Sequence, residues 1–497
     1  MHRWLAGAGF ALLVILLLCG LRLLAARIVA LHLHGVADRR LALIEHGQPP
    51  WHWQLRQRHD IVAGHAFGAA DVQAVDGGLR ITSRDGTPFE VGLPVHGMLD
   101  LEHWPLLSLH GRADAPFRLG VVWRPRLDQP ACFGWQDAPV AAGPLQLALD
   151  LRLLRWQAAD GGGCAAPARI ELLRLQLALP AHASLQLDDV AVRSDTPLPA
   201  PARPTLQLPS DPAAAIRQLA DPALPAIPWI VLPAGASAEA QLALRKLAWL
   251  QRPGALILPH GDIPTAVDGT GGRAWLPWAG AIGYLLALAA LASRSRRLPP
   301  ERRWLEAAAS LAGPLWLIVG MQIGLRLGVP SLLVFVGAIV FALHAERQRR
   351  PADWRWSGGW RAWLMPFAML PLALLLIAIC GDRLAMPPRG HLLMYMSWAL
   401  LQQWLMLAVV MRRLEGSRMP GAFAVLLTAL VFALMHTPNG ALMQLCLLAE
   451  LWWAWCFQRS RTLLPVAAAH AACALLVEAG LVGGMLRSLE VSARFFL

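Results

Sequence analysis

Four side chains in the apolar second half of the chain carry chemistry that a purely lipid-facing helix does not need: Gln402, Gln403, His436 and His470. A polar or ionisable group at bilayer depth is costly and by default marks a function. Neutral imidazole titrates near physiological pH, whereas a carboxamide donates and accepts hydrogen bonds without acting as a base. Gln402 and Gln403 stand side by side in SWALLQQWLMLAVVM, His436 lies within FALMHTPN near the end of its helix, and His470 lies in PVAAAHAACALL. Two imidazoles and an amide pair on neighbouring spans could converge on one buried polar pocket. Asn439 is either a further amide donor for that pocket or the turn residue of Pro-Asn-Gly. Glu450 and Glu478 lie in the last two apolar stretches, Glu478 about 80° around the helix from His470. Each polar residue also has a plain reading as an interhelical hydrogen-bond partner, and Glu450 reads more readily as a paired group than as a catalytic one.

The order of these segments resembles the CAAX prenyl endopeptidase and bacteriocin-processing family of intramembrane proteases (CPBP, or Abi), over about residues 360–485. Its members carry Glu-Glu-x-x-x-Arg on one helix, Phe-x-x-x-His on the next and His-x-x-x-Asn on a later one. Phe432 and His436 match the second motif, and His470 matches the histidine of the third. Ala474 stands where the third motif has asparagine, Gln402 and Gln403 stand where the first has glutamates, and Leu407 replaces its arginine. The resemblance implies hydrolysis of a peptide bond in a membrane-associated protein or peptide. In it a glutamate acts as base on water, while the histidines and an amide orient the water or hold the oxyanion. Glutamine cannot take the proton. Three readings stay open: His436 or His470 serves as base with Gln402 or Gln403 positioning, Glu450 or Glu478 supplies a carboxylate, or the scaffold is catalytically silent. The function expected is thus a CPBP-like endopeptidase with glutamines in place of glutamates. Its alternative is a silent membrane protein acting in binding, assembly or export of an envelope component.

Other chemistry lacks its minimum parts. There is no GxSxG, HExxH, GxGxxG or Walker pattern, and two imidazoles without a carboxylate or thiolate fall short of a usual zinc site. No metal or cofactor is expected.

The elements that must hold these residues are membrane spans. Hydrophobic residues make up 56% of the chain and charged residues only 15%, against roughly 25% charged in soluble domains. The net charge of +12 does not call for a nucleic-acid partner. Its arginines gather between apolar runs, at Arg294–Arg303, Arg347–Arg361 and Arg412–Arg418, where the positive-inside rule expects cytoplasmic loops. Apolar runs near 274–293, 306–327, 329–346, 360–380, 389–411, 419–437, 439–457 and 462–485 are each about long enough to span. Gln322 and Arg326 are the main polar groups of the first four. Trp4 to about Val29 reads as an uncleaved signal anchor. Alternation from a cytoplasmic N-terminus places every arginine-rich loop inside and residues 30–272 outside.

Residues 30–195 hold short period-two runs such as Leu79–Ser83, Phe117–Trp123 and Leu185–Val192, punctuated by Gly, Pro and Asp. That pattern predicts an antiparallel β-sandwich. Residues 196–272 read as a Pro-rich linker and a small βαβ unit, 273–358 as three spans and 359–497 as the CPBP-like core. The fold class expected is a membrane helical bundle of about eight C-terminal helices plus one anchor, with an inserted extracytoplasmic β-sandwich-like domain. The location expected is a bacterial-type inner membrane, with the lipid bilayer and a membrane-associated substrate as partners. Of seven cysteines only Cys132 and Cys164 fall in the polar region, where an oxidising periplasm would favour a disulfide between them.

Overall fold

The computed structural model describes residues 2–46, 51–95, 97–158, 161–196, 200–266, 275–320, 328–348, 353–381, 389–482 and 486–496. Gln322 and Arg326, and the loop positions 382–388, lie outside the described residues. The chain falls into two compact units. One comprises Met1–Leu31, Ala236–Leu242 and Gly271–Leu497, the other His32–Gly235 and Ala243–Thr270.

The first helix, α1 (His2–Glu45), does not stop near residue 29, where the sequence boundary falls. Leu33, Ala37 and Leu41 continue at one-turn spacing and are all buried. A packed stripe of this kind sustains a helix beyond the segment long enough to cross lipid.

The second unit is built on antiparallel sheets. Its strands are β1 (His52–Gln54), β2 (Ala70–Val75), β3 (Gly78–Ser83), β4 (Phe89–Leu93), β5 (Leu99–Asp100), β6 (Leu106–Ala113), β7 (Arg118–Arg124), β8 (Cys132–Trp135), β9 (Gly143–Asp150), β10 (Gln157–Ala158), β11 (Arg169–Ile170), β12 (Leu172–Ala178) and β13 (Ser184–Arg193). One sheet runs β2-β3-β13-β6-β9 with β1 added on β13, and the other runs β10-β8-β7-β12-β4. Alternate residues, Leu119, Val121 and Trp123 on β7 and Leu173, Leu175 and Leu177 on β12, join Ile81, Leu109 and Leu187 of the first sheet in one core. The period-two side-chain alternation of a strand puts their neighbours on the outer faces. Cys132 and Cys164 form a disulfide.

Beyond the sandwich, β14 (Leu206–Gln207), α2 (Pro212–Leu219), β15 (Trp229–Val231), α3 (Ala238–Gln251) and β16 (Leu256–Leu258) follow. The three strands pair in parallel, in the order β14-β15-β16, with α3 as the crossover between the last two.

The bundle unit contains α4 (Leu276–Arg294), α5 (Trp304–Leu315), α6 (Val329–Arg347), α7 (Trp360–Leu364), α8 (Met369–Cys380), α9 (Arg389–Gln403), α10 (Arg412–Gly416), α11 (Gly421–Leu434), α12 (Gly440–Ser460) and α13 (Leu464–Leu481). Among the described residues, seven helical stretches are long and apolar enough to cross a membrane: Gly7–Glu45, Leu276–Arg297, Val329–Arg347, Trp360–Cys380, Leu392–Gly416, Gly440–Ser460 and Leu464–Leu481. The protein is a multi-pass membrane protein with a separate β-rich region. Gly421–Leu434 is a shorter apolar helix.

Two features fix the helices around the polar residues. Between α9 and α10 the chain is π-helical from Trp404 to Met411, and Leu405 through Met411 are buried. Just past it, Arg413 is 1% exposed and meets Glu346 of α6 at 2.7 Å and Glu306 of α5 at 3.4 Å. Glu306 also accepts a hydrogen bond from Ser295.

Candidate active site

Gln403 is the last residue of α9, Glu450 lies mid-way along α12 and His470 in the first half of α13. All three are buried, Gln403 and Glu450 completely. The Gln403 amide nitrogen donates to Glu450 Oε2 at 2.8 Å and to His470 Nδ1 at 3.2 Å. Both amide hydrogens are thereby used, and His470, accepting at Nδ1, carries its proton on Nε2. Gln403 Oε1 and Glu450 Oε1 are buried acceptors with no hydrogen-bond partner among the described residues.

His436 sits in the turn after α11. Its Nδ1–H donates to the carbonyl of Phe432 at 2.8 Å, so Nε2 of the neutral ring is left as an acceptor. Phe432, one turn earlier, holds the two imidazoles together: its ring centroid is 4.9 Å from that of His436 and 5.5 Å from that of His470, both edge-on. The ring of Trp453, three residues after Glu450, lies 5.0 Å from that of His470, tilted by 35°. The indole N–H of Trp453 donates to the carbonyl of Pro366. His436 is the partly exposed member of this group. A cavity of about 460 Å³, lined by Leu315, Trp316, Leu434 and Thr437 among others, flanks its turn. A second apolar cavity of about 440 Å³ shares Leu315 and reaches Val431.

Gln402 is not joined to this cluster by a hydrogen bond; its neighbour Gln403 takes the inward face of the helix. Asn439 is also spoken for. Its Oδ1 caps α12 by accepting from Leu442 N at 3.2 Å, and its amide donates to the carbonyls of Ser488 and Glu490 at 2.7 and 3.3 Å. The structure therefore brings together Gln403, His436 and His470, with Gln402 and Asn439 outside the cluster.

Glu450 is the member that motif reading passes over, because the family pattern has no acid at that place. The signal that finds it is a lone carboxylate in the middle of an apolar span.

A family model described as type II CAAX prenyl endopeptidase Rce1-like matches residues 359–476. This stretch, about a quarter of the chain, is similar to the CAAX prenyl endopeptidase family. The Rce1-like segment runs from just before α7 into α13 and includes Gln403, Phe432, His436, Glu450 and His470. The family is one of intramembrane proteases. No curated protein matches the chain. The cluster around Gln403 holds two imidazoles and one carboxylate, His436, His470 and Glu450, yet the described residues that group as metal ligands are elsewhere, at Asp100, Glu102 and His103 in the β-rich unit. There Asp100 already accepts from the His103 ring and backbone.

Proposed function

We propose that the protein is an endopeptidase that hydrolyses a peptide bond of a membrane-associated substrate, with Glu450 supplying the carboxylate that Gln402 and Gln403 lack. The observation that carries this reading is the bond from Gln403 to Glu450, which returns an acid to the place beside His470. A water donating to the two partnerless acceptors, Glu450 Oε1 and Gln403 Oε1, would be held next to a base. Glu450 takes one of its protons while the oxygen bonds to the substrate carbonyl carbon. His470 donates from Nε2 to the oxyanion. As the C–N bond breaks, the proton on Glu450 passes to the leaving nitrogen. His436, with Nε2 open, accepts from the substrate amide, and the apolar cavities at Leu315 suit an apolar substrate segment.

The same reading gives the topology. The N-terminus is cytoplasmic and the chain sits in a bacterial-type inner membrane, because the arginine clusters between spans then lie inside. Residues 30–272 lie outside, in an oxidising compartment in which the Cys132–Cys164 bond persists. The layout is an anchor, a β-sandwich with its Pro-rich and βαβ continuation, three spans and the proteolytic core.

One observation favours a catalytically silent protein instead: Gln403 and Glu450 have no exposed surface. Mapping of new protein termini in membranes from cells carrying the unaltered protein, Glu450→Gln, His436→Ala or no protein separates the two. Cleavage sites seen only with the unaltered protein support the endopeptidase. Identical termini in all four strains, with any growth defect of the deletion repaired by Glu450→Gln, mark a scaffold.

A further inference from the structure

The five-stranded sheet of the β-rich unit has an outer face that the proposed proteolytic step does not use. Strand register sets its side chains in rows. Phe133, Val122, Arg174 and Gly92 form one row, and Trp135, Gly120, Gln176 and Glu90 form the next, across β8, β7, β12 and β4. Each row contains one glycine, and an aromatic ring lies over each glycine. A Cβ on Gly120 would stand 2.9 Å from the Trp135 ring; one on Gly92 would stand 3.5 Å from the Phe67 ring and 2.8 Å from Val62. The missing side chains let both rings lie low on the sheet.

Between the rings runs β12, which offers Arg174 and Gln176 as a floor. With strands about 4.8 Å apart, the opening from β7 to β4 is about 10 Å wide, the scale of one or two sugar rings. Gln176 Oε1 is buried without a hydrogen-bond partner. Arg174 pairs with Glu90 at 2.8 Å and lies over the Phe67 ring at 4.3 Å, and Arg118 lies over Trp135 at 5.2 Å. Arg124 extends the same face beside Leu172. The two rows hold Arg174 and Glu90 as a pair, and Arg118 and Arg124 add positive charge beyond them at the two ends of β7.

We infer that this face binds an acidic oligosaccharide. The rims of Trp135 and Phe67, whose faces meet the glycines on one side and the Arg118 and Arg174 guanidiniums on the other, pack against the polarised C–H groups of pyranose rings. The planar amide and guanidinium of Gln176 and Arg174, with the Glu90 carboxylate, match neighbouring hydroxyls in donor and acceptor directions. Arg118 and Arg124 complement sugar carboxylates, to which guanidinium binds in a forked geometry. An acyl-chain partner would need a continuous apolar patch, and here Arg118, Arg174 and Glu90 stand among the rings. The site lies wholly within the β-rich unit and does not depend on the catalytic reading.

Calorimetric titration of the full-length protein in lipid nanodiscs tests this, with hexamers of galacturonate and of mannuronate as probes and maltohexaose as the neutral counterpart. The expected result is binding of an acidic hexamer at least tenfold tighter than maltohexaose, weakened by added salt. Trp135→Ala and Arg118→Glu should each weaken it at least tenfold. Arg118 is exposed, so the charge reversal leaves the sheet intact even if the tryptophan variant misfolds. No binding of either acidic hexamer at millimolar concentration, equal affinity for maltohexaose, or unchanged binding in Arg118→Glu would overturn the inference. So would binding of phosphatidylglycerol vesicles through Arg118 with no saccharide bound.

Discussion

The amide nitrogen of Gln403 stands 2.8 Å from Glu450 Oε2, joining the end of α9 to the middle of α12 where neither residue has exposed surface. The acid that the family pattern would place on α9 is met here on a different helix, with the amide between it and His470.

If that pairing is catalytic, Glu450→Gln should lower cleavage about 10²- to 10⁴-fold, the usual worth of a general base. The exchange Gln403→Glu with Glu450→Gln keeps one acid and one amide in the same space and should recover part of the activity. Cleavage rates on a substrate found by terminus mapping decide this. An exchange variant no better than Glu450→Gln, while equally stable, would remove Gln403 and Glu450 from the mechanism.

Asn439 and Gln402 should behave as residues outside the catalytic cluster. Asn439→Ala deletes a helix cap and two bonds to Ser488 and Glu490. We expect a stability loss of about 1–3 kcal/mol, read by thermal unfolding in detergent, with activity falling only as folded protein is lost. Gln402→Ala should leave both stability and turnover nearly unchanged.

Arg413→Ala leaves Glu306 and Glu346 facing each other without their shared cation. A buried pair broken on one side costs about 3–5 kcal/mol. Arg418, 74% exposed and 3.0 Å from Glu301, provides the control, since exposed pairs contribute at most about 1 kcal/mol. Equal melting temperatures for the two alanine variants would contradict this contrast.

Much of this architecture is legible in the chain. Strand β7 is readable because Leu119, Val121 and Trp123 alternate with outward residues, and the spans are readable from length and lack of charge. The two imidazoles are readable as neighbours because the resemblance supplies both, His436 from its second motif and His470 from its third. What a linear reading does not carry is rotation and long-range pairing. It cannot choose Gln403 over Gln402 without knowing which way α9 faces, and it cannot tie Asn439 to carbonyls about 50 residues later. The extent of α1 is missed for a similar reason, since Leu33, Ala37 and Leu41 are sustained by tertiary packing.

The β-rich unit should respond to acid through Asp150. The hydrogen-bonded Arg152 side chain holds the Asp150 carboxyl below its ordinary value of 3.8. A carboxyl lowered in the folded state contributes stability that is complete above its unfolded value and fades as pH falls through the folded one. Thermal unfolding of the intact protein between pH 5 and pH 3 should therefore weaken more steeply in the unaltered protein than in Asp150→Asn. Parallel curves would assign the acid sensitivity to other groups.

The π-helical stretch Trp404–Met411 has a consequence for how α9 and α10 are aimed. An α-helix turns about 100° per residue, and a π turn, with its wider ring, turns less. The stretch thus resets the phase between Gln403, which points at Glu450, and Arg413, which points at Glu306 and Glu346. Two polar partnerships on one rod depend on a count of residues rather than on any single side chain. Deleting one residue between them would preserve both groups and spoil their joint bearing.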